Sequence, residues 1–66
     1  MNQIDRNMSH IIVDKVSPLI TTIVENSEEM AEALTHHVPN YSKNYLKRHI
    51  LHQIIMDLQK EVISVE

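Results

Sequence analysis

Three features of the sequence predict an all-α fold. Glycine is absent from all 66 residues, and glycine normally supplies the positive-φ positions of tight β-hairpins. Apolar residues recur every third or fourth place through most of the chain, the period of a helix with one buried face. The two prolines, Pro18 and Pro39, fall where those runs pause, so each marks an expected break. One domain over residues 1–66 results, with helix A at about 4–16, helix B at about 18–37 and helix C at about 41–63.

Helix A rests on Ile4, Met8, Ile11, Ile12 and Val16. Ser17-Pro18 then reads as an N-cap followed by a first helical residue, where the missing proline N–H costs nothing because it would be unpaired anyway. In helix B, Leu19, Ile20, Ile23, Val24, Met30, Ala31, Leu34 and Val38 hold one helical phase. Ser27, followed by Glu28 and Glu29, resembles a second N-terminus with acids in its first turn. A single helix running through Asn26-Ser27 is the preferred reading. Pro39 closes helix B because the residue before a proline avoids the α region, and Asn40 or Ser42 caps helix C.

A domain this small buries about 60% of its unfolded surface. It therefore needs disulfides, a metal or a second chain to be stable. Cysteine is absent, which removes disulfides and thiolate metal sites and fits a reducing compartment. Hydrophobic residues make up 42% of the chain, and Tyr41 and Tyr45 are its only aromatics. Aliphatic burial has to supply the folding energy, and association with a second copy is the support left standing. The expected architecture is a three-helix domain, a helical hairpin plus an N-terminal helix, assembled as a homodimeric helical bundle.

No apolar run reaches the length of a signal-peptide core or a membrane span. The formal net charge of −3 gives no overall attraction to DNA or anionic lipid. A cytoplasmic protein without membrane attachment is expected.

Helix C carries two apolar faces at 100° per residue. Leu46, Ile50, Leu51, Ile54, Ile55, Leu58 and Val62 form a wide stripe suited to the domain's own core. The opposite side reads Tyr45, His49, His52, Met56, Gln59 and Ile63, at spacings of 4, 3, 4, 3 and 4. That is the a/d rhythm by which one helix packs on another. Scattered amphipathic residues on a solvated surface would read similarly. The regular spacing and the shortage of core favour a dimer or partner interface through Tyr45, His49, His52, Met56 and Ile63.

The stretch from His36 to His52 holds four of five histidines and three of six Lys and Arg residues, with no acid. His36, His37, His49 and His52 constitute a weak zinc candidate, since imidazole is a common zinc ligand. Adjacent His36 and His37 cannot easily point at one ion, and no metalloprotease pattern accompanies them. Lys43, Lys47 and Arg48 open helix C as in a helix-turn-helix, whose second helix enters the major groove by its start. The Leu34-to-Leu46 spacing is too long for that motif's tight turn, and its turn glycine is missing. Pairing of these bases with the acids of residues 25–32 is the preferred account of the charge pattern.

No nucleophile elbow, phosphate-binding glycine loop or paired carboxylates in an apolar setting is present. The chain is expected to be no enzyme and to need no cofactor. Ile50-Leu51, Ile54-Ile55 and Leu58-Gln59 resemble, over ten residues, the central helix of small bacterial two-component connector proteins. Any amphipathic helix carries that pattern, and no family is assigned from it. The reading is a small regulator of bacterial or phage type that dimerises and modulates another protein. DNA binding through Lys43, Lys47 and Arg48 is the alternative.

Overall fold

A computed structural model of the chain describes residues 6–65. Within them the protein is all-helical, with two helices, α1 over Arg6–Thr35 and α2 over Lys43–Ser64. Thirty residues make α1 about 45 Å long. The two helices pack against each other as a hairpin whose overall extents are 51 × 23 × 13 Å.

The expectation of three helices is corrected, because helices A and B are one continuous element that passes through Pro18. Ile4 and the expected start of helix A lie outside the described residues. Ser17 accounts for the misreading. A serine before proline can accept an N–H from the helix ahead, as an N-cap, or donate its hydroxyl to the carbonyl four residues behind. Here it donates to the Val13 carbonyl at 2.8 Å. Thr21 and Thr22 likewise donate to Ser17 and Pro18, at 3.2 and 3.1 Å. The apolar rhythm runs on through Val16, Leu19, Ile20 and Ile23, and the helix continues through the proline with it. No break occurs at Asn26-Ser27 either.

The reversal needs no glycine. Among the described residues none has positive φ. His37 and Val38 both donate to the Leu34 carbonyl at 2.9 Å, and Tyr41 donates to Val38 at 3.1 Å. Pro39 thus occupies the second position of a four-residue turn, where its fixed φ is an advantage. Ser42, extended at φ −71° and ψ 157°, is the N-cap of α2, and its Oγ accepts from the Tyr45 N–H at 3.1 Å. Of the two caps proposed from sequence, Ser42 is the one used.

The contact between the helices is narrow. Ser27 and Ala31, one turn apart on α1, are 1% and 0% exposed and are the only described residues that are buried. Their small side chains admit α2 closely. Around them Ile23, Glu28, Leu34, Thr35 and Val38 are half-buried, as are Lys43, Leu46, Lys47, Ile50, Leu51 and Ile54. Towards the open end, beyond Ile23 and Ile54, every described residue is exposed. Three of the seven residues of the stripe expected to form the core of helix C are therefore uncovered: Ile55, Leu58 and Val62 are exposed.

Candidate functional site: two uncovered apolar faces

Most of the chain's greasy surface is available for contact. The protein exposes 5997 Å², whereas a compact monomer of 7.7 kDa exposes roughly 4,300 Å². Its radius of gyration is 16.0 Å, against about 11 Å for a compact chain of this length.

On α2, the edge named from sequence is exposed along its length. Tyr45, His49, His52, Met56 and Ile63 are all exposed. At its start the rings form a short ladder. Tyr41 stacks on Tyr45 with centroids 5.0 Å apart, and Tyr45 meets His49 edge-on at 4.5 Å. Offset and edge-on pairs of this kind are the favoured aromatic geometries, so the ladder gives the edge a rigid end. Its far end, at Ile63, is 83% exposed.

The larger apolar face lies on α1. Ile12, Val16, Leu19, Ile23, Asn26 and Met30 follow one another at 4, 3, 4, 3 and 4 residues, all exposed except Ile23, which is half-buried at the edge of the hairpin contact. Leu19 is 62% exposed and Met30 52%. The seam runs across Pro18 and exists only because α1 is one continuous helix there. Pro18, Ser17 and Thr21 sit on the side of the wheel away from it, so the residues that disturb the helix backbone lie opposite its apolar stripe.

The bases at the start of α2 are engaged within the hairpin. Lys43 donates to Glu28 Oε2 at 2.7 Å and lies 3.5 Å from Glu32. Lys47 donates to Glu28 Oε1 at 2.8 Å. These hydrogen bonds, first from Lys43 and then from Lys47, with the attraction of both ammonium groups, hold the Glu28 carboxyl down at about 2. Glu28 in turn raises the Lys43 ammonium above its ordinary range. This is the acid–base pairing that the charge pattern suggested. Arg48, exposed on the neighbouring face, has no such partner among the described residues.

His36 and His37 are exposed on the turn, while His49 lies against Tyr45. No group of three His, Asp or Glu side chains converges to hold a metal ion among the described residues, so the four histidines are not brought together. No described helix is long and apolar enough to cross a membrane. Comparison with protein-family models, with curated proteins and with solved structures gives no match in any of the three.

Proposed function

We propose that this protein is a self-associating helical hairpin that acts by binding a surface on another protein, with no catalysis of its own. The observation that carries the reading is the burial of two side chains alone among the described residues. So little core leaves most of the stabilising contact to be made between chains. The surface in excess of a compact monomer is on the order of 1,000 Å² or more, comparable with the roughly 800 Å² each partner hides in a standard interface. A homodimer uses one apolar face. The other, through Tyr45, His49, His52, Met56 and Ile63, remains for the partner protein, and its Met and aromatic content suits an adaptable contact.

Nucleic-acid binding through Lys43, Lys47 and Arg48 draws less support, because Glu28 already engages two of the three bases. Sedimentation of the full chain over a dilution series tests the reading. A dimer that dissociates on dilution is expected, and a monomer at every concentration up to hundreds of micromolar overturns it.

A further inference from the structure

We propose that the second copy docks on α1 rather than α2, antiparallel, in a register fixed by Lys15 of each chain against Glu29 of the other. The inference rests on the self-association proposed above and deepens it. The α1 seam is the more apolar of the two: Ile12, Val16, Leu19, Ile23 and Met30 against Tyr45, His49, His52, Met56 and Ile63. Burial of apolar area drives association, so the α1 face gains more from being covered.

Two identical helices related by a two-fold axis and running antiparallel pair a positions with d positions. Setting Leu19 against Ile23 of the copy brings Val16 to Asn26 and Ile12 to Met30. Every apolar seam residue then meets another seam residue, and no end overhangs. Asn26, the single polar member of the seam, then meets Val16 of the copy and lowers the stability of the pairing.

The charges beside the seam agree with the register set by its apolar residues. Lys15 and Glu29 flank the seam on the same side, two heptads apart. In this alignment each Lys15 lies beside Glu29 of the copy, giving two opposite-charge pairs. Within the hairpin neither forms an ion pair among the described residues, so both are available. The parallel alternative places Lys15 beside Ile20 and Glu29 beside Leu34, with no complementary charge. The antiparallel arrangement also sets the two helix dipoles head to tail.

The test is a charge exchange read by sedimentation equilibrium at low salt, on the full chain with helicity checked by circular dichroism. Lys15→Glu and Glu29→Lys each turn two attractive pairs into two repulsive ones. Each is expected to raise the dimer Kd about tenfold. The double variant Lys15→Glu/Glu29→Lys restores it to within about threefold of the wild type. Leu19→Glu, at an exposed position that leaves the hairpin contact intact, dissociates the dimer, whereas Met56→Glu leaves it unchanged. A wild type that never dimerises overturns self-association and this inference together. A wild-type dimer whose charge variants are not rescued by the exchange, or which Met56→Glu dissociates and Leu19→Glu does not, overturns the α1 register alone.

Discussion

Ser27 and Ala31 lie one turn apart on α1 and together form the whole buried contact of the described hairpin. Ser27 keeps its polarity harmless by donating its hydroxyl to the Ile23 carbonyl at 2.8 Å. The two positions therefore differ in what substitution does. Ala31→Leu forces three extra heavy atoms between packed backbones and is expected to destabilise by about 1–3 kcal/mol. Ser27→Ala leaves the Ile23 carbonyl with its helical partner and should change stability by no more than about 0.5 kcal/mol. Urea unfolding at fixed protein concentration measures both, and equal effects at the two positions would contradict the close approach.

Pro18 removes one N–H from the middle of α1 and presses its ring on the preceding turn. An interior proline costs a helix about 3 kcal/mol relative to alanine. Pro18→Ala is expected to recover about 1–3 kcal/mol and to raise helicity at 222 nm. A loss of stability would mean that the seam depends on the local geometry the proline imposes.

Glu28 gives the hairpin a defined pH response. Its carboxyl titrates at about 2 rather than the usual 4.5, so the folded form prefers the charged state. That stabilisation is complete above pH 4.5 and is lost as pH falls towards 2. Lys43 is raised above its ordinary 10.5, so its share is complete below that value and is lost as pH rises past it. Glu28→Gln should therefore melt below the wild type at pH 7, with the gap closing on acidification. A gap that stays constant down to pH 2 would show that the two lysines do not hold Glu28 in solution.

Ser42 caps α2 through the Tyr45 N–H. Ser42→Ala is expected to cost about 1 kcal/mol, and Ser42→Asp to preserve most of the capping. Amide exchange at Tyr45 and Leu46 reads this directly: faster exchange confined to the first turn is the expected signature.

Much of this molecule could be read from the residues alone. The all-helical class followed from missing glycine and continuous periodicity, and the turn at Pro39 was plain because proline there meets no competing apolar rhythm. The charge pairing of Glu28 with Lys43 and Lys47 followed from blocks of opposite sign on either side of that turn. Ser17-Pro18 was the point at which local reading failed. Serine's hydroxyl can serve as acceptor or donor, and only the apolar stripe continuing on both sides decides which. That single misassignment divided α1 and concealed the seam from Ile12 to Met30. The extent of core was equally illegible, because wheel positions show which side of α2 is greasy but not how far α1 stays beside it.

A hairpin in which Ser27 and Ala31 are the only buried residues among those described carries little reserve of stability within one chain. Under the self-association proposed above, the second copy completes the fold, so dilution acts on this protein as a denaturant does. Doubling the amount synthesised more than doubles the assembled form while free chains predominate.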